Sequence, residues 1–286
     1  MTATARVTAS TTAATGLVGG EPAGAARAAA ARPGALTANG AFVPAVSAAE
    51  MAEVDRLAVE EFGIDLLQMM EQAGSHLADA ARILLGGDLG GKRVVVAVGP
   101  GNNGGGGLAA ARHLANRGAI VRSVLAHPAL RLSPAGRHQL ATLLAMQVSC
   151  CVATFDLDDG ELAEVLSGAD LVIDALLGYN GTAAPRDEIA RIVEAIERAS
   201  RPVLSLDLPT GVDADTGRAS GAAIRATATM TLALPKTGLL SKAGGERAGD
   251  LYLADIGLPS ALFGRLGIDV STPFATGRIV RLATPA

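Results

Sequence analysis

A short apolar run followed by a glycine-rich segment constrains the fold of this 286-residue chain more than any other feature. Arg93–Val98 is apolar and mostly β-branched after its first residue, which is typical of a parallel strand buried on both faces. We predict it to be the central strand. It continues into Gly99-Pro-Gly-Asn-Asn-Gly104, which has the G-x-G-x-x-G spacing, and three more glycines lead into a helix predicted at about 108–117. Glycine amides beside a helix start favour a bound phosphate, and a purely structural glycine turn is the alternative.

Strands and helices alternate along the rest of the chain. Ser47 and Glu50 form a capping box that predicts a first helix, and a second helical pattern runs from Leu66 to Leu84. Beyond the glycine-rich segment, the pattern predicts helices at about 134–146 and 187–199, and strands at 120–125, 148–152, 171–174, 203–207, 229–234 and 250–254. Such alternation predicts an α/β fold built on a mainly parallel, doubly wound sheet.

Composition limits the extent of the domain and the class of ligand. Residues 1–45 are rich in Ala, Thr and Gly and almost lack large apolar side chains, so we predict a disordered leader there and one domain over 46–286. The net charge is −4, from 24 Lys and Arg against 28 Asp and Glu, which favours neither nucleic acid nor an anionic membrane surface as a partner. No run reaches the roughly 18 apolar residues of a membrane span. A small molecule is therefore the expected ligand.

The two cysteines bear on the cellular compartment. Cys150 and Cys151 are adjacent, and a disulfide between neighbours requires a strained ring. We predict that both thiols are reduced, which favours the cytoplasm.

Two aspartates stand where predicted strands end. Asp174 and Asp207 close the strands at 171–174 and 203–207, and parallel strands bring their carboxyl ends to one edge of a sheet. An ionised side chain there is costly unless a cation, a ligand hydroxyl or a helix start binds it. Oxygen donors expected at the same edge suit a group I or II cation better than zinc; they belong to Asn102, Asn103 and Thr210. The alternative is that each aspartate only caps a helix.

Other polar residues support weaker predictions. The strand at 120–125 is followed by Ala126-His127, where an ordinary dinucleotide domain would have an acidic residue for the ribose, so a standard NAD-dependent dehydrogenase is not expected. Lys236 and Lys242 could meet a phosphate, but the preferred interpretation is two solvated lysines.

Several separate segments resemble one known family. They are Ser47–Met51 with Met70–Gly74, Gly99–Leu108, Asp174–Gly178, Asp207–Gly211 with Asp213, Leu234–Gly238, and Asp250–Gly257. From about Val46 to about Leu262 the chain is similar to the YjeF N-terminal domain, the NAD(P)H-hydrate epimerases. The resemblance implies a three-layer αβα Rossmann-like fold, a homodimer, and interconversion of the R and S epimers of hydrated NADH and NADPH (NADHX and NADPHX). These damaged cofactors carry a hydroxyl on the reduced nicotinamide ring, and a dehydratase acting on the S epimer would be a separate protein.

The resemblance also implies a set of ligand contacts. A potassium ion would bind Asn103, Asp174 and Thr210, the last of which replaces the usual Ser. Substrate contacts are implied at Asn102, Asn103, Gly104, Gly105, Gly106, Gly178, Tyr179, Asn180, Gly181, Thr182, Ala183, Ala184 and Asp207. The epimerised centre is a hemiaminal carbon whose hydroxyl leaves once its oxygen is protonated, so the reaction needs a proton donor and an acceptor. Asp207 is the candidate general acid and base.

One position departs from the family pattern in the glycine-rich loop. The loop usually reads Asn-Asn-Gly-Gly-Asp-Gly, and here Gly106 takes the place of the Asp. A lost polar contact costs about 1 to 3 kcal/mol, whereas a lost acid or base costs about 100- to 10,000-fold in rate. We favour an epimerase that works through Asp207 without the loop carboxylate. The alternative is a related domain that binds a nucleotide or acts on another cyclic small molecule without epimerising NAD(P)HX.

Overall fold

The computed structural model describes residues 32–181, 184–270 and 273–283. Within these ranges the strands are β1 Gly34–Leu36, β2 Phe42–Pro44, β3 Arg93–Val98, β4 Ile120–Leu125, β5 Ser149–Val152, β6 Leu171–Ala175, β7 Val203–Leu206, β8 Ala228–Leu232, β9 Asp250–Ala254 and β10 Ile279–Arg281. The helices are α1 Ala48–Glu60, α2 Leu66–Leu84, α3 Asn102–Asn116, α4 Pro134–Ala145, α5 Ala153–Asp156, α6 Asp159–Ser167, α7 Asp187–Ala199, α8 Lys242–Ala248 and α9 Ser260–Arg265.

The main sheet has the order β10-β9-β8-β7-β6-β3-β4-β5 among the described residues, and β10 is its antiparallel strand. The predicted α/β fold with a mainly parallel, doubly wound sheet is confirmed. The strand predicted to be central, β3, is interior but lies third from the β5 edge, because the chain adds two strands on one side of it and five on the other. After β3 the chain adds β4 and β5 on one side and then crosses to add β6 on the other side of β3, so the strand order reverses at this point. In open α/β sheets, ligands bind at such a switch point.

The side chains of β3 show how the layers form. Val94, Val96 and Val98 belong to one apolar cluster with residues of α2, α3 and α4. Val95 and Ala97 belong to another, with residues of α6 and α7. Because successive side chains point to opposite faces of a strand, helices cover both faces of the sheet. This is the three-layer αβα arrangement.

The segment before α1 differs in part from the prediction of a disordered leader. β1 and β2 pair as an antiparallel ribbon that buries Ala35 and Val43. Thr37 forms a bridge with Leu282, so the ribbon also joins the described end of the chain. Ala35 and Val43 belong to a buried apolar cluster with residues of α1 and β9, so small apolar side chains suffice to pack the ribbon against the domain. The prediction for residues 1–31 lies outside the described residues.

The glycine-rich segment is helical where a loop was predicted. Helix α3 begins at Asn102, six residues earlier than expected, and its four glycines Gly104–Gly107 are all buried. A Cβ at Gly104 would overlap the carbonyl oxygen of Gly99, and one at Gly107 would overlap the side chain of Ala175. These glycines therefore let the first turns of α3 lie against β3 and β6, and they do not form an open phosphate loop.

This close approach predicts a stability effect for Gly104→Ala. Alanine favours a helix over glycine by about 1 kcal/mol. At this position the added methyl group meets backbone rather than a movable side chain, so we expect a net loss of about 1–3 kcal/mol in the free energy of unfolding. Urea denaturation measures it. The control is Gly264→Ala in α9, an exposed site with no atom near the new methyl group, where stability should stay level or rise. Equal effects at the two sites would contradict this account of the segment.

Candidate active site

A pocket of about 460 Å³ opens at the carboxyl ends of the strands on either side of the switch point. Helices α1 and α2 form one wall of it, and the start of α3 and the loop after β6 form others. The residues that bear on its chemistry are Asp55, Asn102, Asn103, Gly106, Tyr179, Asp207 and Lys236. Most of the predicted substrate contacts therefore share one cavity.

The predicted contacts in the loop after β6 line the pocket, and some of the others do not. Gly178, Asn180 and Gly181 line the pocket with Tyr179. Gly104 and Gly105 lie outside the lining, because they face neighbouring backbone and the side chain of Met70. Ala184 also lies outside the lining. Thr182 and Ala183 are outside the described residues.

Asp207 follows β7 and projects into this pocket from an unusual backbone conformation. Its φ is +69°, a left-handed value that is uncommon for a non-glycine residue, and its backbone N–H donates to Met230 O at 2.8 Å. The side chain is buried. Its Oδ2 accepts a hydrogen bond of 2.9 Å from the backbone N–H of Tyr179, and its Oδ1 accepts one from Nζ of Lys236. Strain of this kind is concentrated at functional sites, where surrounding contacts hold it in place.

Lys236 is buried, and the prediction that it is solvated was wrong. The side chain is 1% exposed and forms an ion pair with Asp207. Its Nζ also donates to Leu232 O at 3.1 Å and to Thr231 Oγ1 at 3.3 Å, so the ammonium is surrounded by acceptors. It lies 5.7 Å from the centre of the Tyr179 ring. Lys242, in contrast, is exposed.

Asp55 also lines the pocket, although it was not among the residues predicted from the sequence. It lies on α1 four residues after Met51, and both side chains face the pocket because residues i and i+4 share a helix face. Its Oδ2 accepts a hydrogen bond of 2.6 Å from the Tyr179 hydroxyl. Burial raises the pKa of Asp55 above its ordinary value, against an opposing effect of the Tyr179 hydrogen bond. The helical spacing of Met51 and Asp55 was the one signal in the sequence.

Asp174 and Thr210, predicted to share a cation, are in direct contact beneath the pocket. Asp174 is fully buried; its Oδ1 accepts from Thr210 Oγ1 at 2.6 Å, and its Oδ2 accepts from Thr210 N and Ser205 Oγ, both at 2.8 Å. Burial raises the pKa of Asp174, and the hydrogen bonds from Thr210 and Ser205 act in the opposite direction. Among the described residues, none forms a salt bridge with Asp174.

The third predicted cation ligand, Asn103, lines the pocket itself. Its Nδ2 is buried and has no hydrogen-bond partner among the described residues. Gly178 passes close by: a Cβ placed there would lie 3.3 Å from Asn103 Oδ1 and 3.1 Å from Asp207 Oδ2. Gly178 thus lets the loop after β6 lie against both side chains. A buried amide without a partner is costly, so a group absent from the protein is expected to meet it.

Three comparisons with known proteins bear on this site. The family model described as YjeF-related protein N-terminus matches residues 66–238. An NAD(P)H-hydrate epimerase of Dehalogenimonas lykanthroporepellens is 40% identical over 247 residues, covering 86% of this chain and 96% of that protein. The chain belongs to the YjeF N-terminal family of NAD(P)H-hydrate epimerases. The resemblance drawn from the sequence motifs is confirmed.

Two further relatives place the chain within this family. A bifunctional NAD(P)H-hydrate repair enzyme of Moorella thermoacetica is 38% identical over 76% of this chain, which spans only 41% of that protein's length. The crystal structure of the yeast protein ynu0 matches with a TM-score of 0.72 and 28% identity, covering 84% of this chain and all of that one. The YjeF N-terminal fold thus accounts for most of the chain. In the described part, no helix is both long and apolar enough to cross a membrane.

Proposed function

We propose that this chain is an epimerase that interconverts the R and S forms of NADHX and NADPHX. The observation that carries the proposal is the buried Asp207–Lys236 ion pair in the wall of the switch-point pocket. The names of the family relatives favour this activity over a domain that only binds a nucleotide.

In the proposed chemistry Asp207 moves a proton and Lys236 orients its carboxylate. Loss of the ring hydroxyl as water leaves a cation that the lone pair of the ring nitrogen stabilises, and water added to the other face gives the second epimer. Asp207 is the proposed proton-exchanging residue, since a carboxylate can accept the proton of the adding water. Lys236 and the N–H of Tyr179 hold the carboxylate in one orientation, and a positioned acid or base contributes typically 10²–10⁴-fold.

The start of α3 is the proposed site for the pyrophosphate. The N-cap residue Gly101 has no side chain to satisfy the first amides, and Asn102 and Asn103 begin the helix at the pocket wall. A helix start carries partial positive charge and free N–H groups that suit an anion. Gly106 lies on the same wall, where a Cβ would be 2.9 Å from Leu206 Cδ2, so an aspartate could be accommodated only if that methyl group moved.

The residues Asn103, Asp174 and Thr210 fit a potassium ion, which we propose as the cofactor. Asp174 is a fully buried carboxylate without a cationic partner among the described residues, and the carboxylate, the Thr210 hydroxyl and the Asn103 amide oxygen are all hard oxygen donors. When bound, the ion would supply positive charge under the loop after β6. Leu177 in that loop already donates its N–H to Thr210 Oγ1 at 3.0 Å, so these residues also hold the loop that carries Tyr179.

A cation response is the expected consequence. Potassium replaces tetramethylammonium at a concentration ten times the dissociation constant of potassium for this site. The free energy of unfolding should then rise by about 1.4 kcal/mol, which corresponds to about 3–6 °C in Tm. Asp174→Asn removes the charge and keeps one acceptor for Thr210, so its Tm should not respond to potassium. Differential scanning calorimetry of both proteins in both salts measures this. An equal rise in the two proteins would place any potassium site elsewhere.

We also propose that the protein is a homodimer, as the family resemblance implies, and that it is cytoplasmic. The free thiols of Cys150 and Cys151 support a reducing compartment.

The activity itself is tested by incubating the purified protein with the R epimer of NADPHX and separating the epimers by chromatography. Formation of the S epimer must exceed that in a protein-free control.

A further inference from the structure

Tyr179 joins two carboxylates in the walls of one pocket. Its backbone N–H donates to Asp207 at 2.9 Å, and its hydroxyl donates to Asp55 at 2.6 Å. Asp55 and Asp207 both line this pocket, so a single tyrosine connects the two carboxyl groups. A nicotinamide ring bound in this pocket would have two carboxyl groups in the surrounding walls.

The environments of the two carboxylates differ. Asp207 has a direct cationic partner, because it forms a buried ion pair with Lys236. Asp55 forms no salt bridge within the described part of the chain, and the charged groups that act on it across the pocket are Lys236 and Asp207. Burial and the Asp207 charge raise the pKa of Asp55, while Tyr179 and Lys236 oppose the rise. Two carboxyl groups whose environments differ in this way are the usual arrangement of an acid and a base.

We propose that Asp55 is the second proton-exchanging residue of the epimerisation and takes over the work of the carboxylate missing at Gly106. The inference rests on the proposed function. It assigns Asp55 to the hydroxyl on one face of the ring and Asp207 to the water on the other, with Tyr179 positioning both.

The proton balance closes over one turnover. The Asp55 carboxyl gives its proton to the ring hydroxyl, the C–O bond breaks, and its electron pair leaves with the new water molecule while the ring nitrogen forms a C=N bond. A second water adds to the opposite face, its proton passes to the Asp207 carboxylate, and the ring nitrogen regains its lone pair. Asp207 then releases one proton to solvent and Asp55 takes one up. In the reverse direction the two residues exchange roles.

The decisive experiment measures kcat and KM for NADPHX against pH in four proteins. Asp55→Asn should lower kcat by at least about 100-fold and leave KM within about threefold. Tyr179→Phe keeps the ring and the backbone N–H but removes the hydrogen bond that stabilises ionised Asp55. The pKa of Asp55 should then rise, so the decline of kcat at high pH should begin at a higher pH than in the parent. Glu60→Gln on the same helix is the control, because Glu60 is exposed and pairs with Arg56.

The outcomes separate the two proposals. A parent rate equal to the protein-free rate would refute the epimerase function and this inference with it. An active parent whose Asp55→Asn variant stays within threefold of it would refute only the role of Asp55. If Asp55→Asn fails to fold, Tyr179→Phe decides: an unmoved high-pH limb would show that Asp55 only anchors the loop.

Discussion

Replacing Asp207 with asparagine should lower the rate of epimerisation by at least about 100-fold and leave nucleotide affinity within a few-fold. Asparagine keeps the size of the side chain and one acceptor for Lys236 or Tyr179, but its amide exchanges no proton near neutral pH. The loss should therefore appear in kcat. The measurement combines steady-state kinetics with NADPHX and calorimetric titration with NADPH, both well below the Tm of the variant.

A matched control separates chemistry from charge. Asp88→Asn removes one negative charge from an exposed loop whose carboxylate accepts from Gly90 N, and it should leave kcat unchanged. If Asp207→Asn instead raises KM or the NADPH dissociation constant and leaves kcat intact, Asp207 binds substrate and does not move its proton.

The largest stability effect is expected at Lys236. Lys236→Met keeps the length of the side chain but leaves the Asp207 carboxylate buried without its cation. Breaking a buried ion pair from one side typically costs about 3–5 kcal/mol. At about 2–4 °C per kcal/mol, the Tm should fall by about 6–20 °C.

A double variant tests whether the uncompensated charge of Asp207 causes the loss of stability. Adding Asp207→Asn to Lys236→Met removes the uncompensated charge, so the double variant should be more stable than Lys236→Met alone. Lys242→Met, at an exposed lysine on α8, should change the Tm little. A Lys236→Met protein as stable as Lys242→Met would show that the pair carries no stability.

Local sequence patterns predicted the elements whose signals are local. Helix α2 and strands β3 and β4 have the predicted bounds, because each is a single uninterrupted periodic or β-branched run. The start of α3 was predicted to be a loop, because the G-x-G-x-x-G spacing occurs both in open loops and in helices packed closely on strands. β10 was not predicted, since three residues contain too little pattern to detect.

The sequence predicted only those pocket and cation-site residues that lie at the ends of predicted strands or in the loops that follow them. Asp174 and Asp207 were found because they close apolar runs. Lys236 was missed because its burial depends on an acid 29 residues earlier in the chain, brought beside it by β8. Asp55 was missed because the position of α1 beside the pocket is set by tertiary packing, and the helical pattern of α1 does not predict which strand ends the helix covers.

An isotope-labelling experiment tests the proposed epimerase activity by following the oxygen atom of the ring hydroxyl. The purified protein is given the R epimer of NADPHX in water enriched in ¹⁸O with potassium present, and the S epimer is analysed by mass spectrometry at early times. We expect S epimer to form at least about 100-fold faster than without protein, with one ¹⁸O per molecule formed, because the water that adds is not the one that left. A rate equal to the protein-free control, or S epimer without label, would contradict the account.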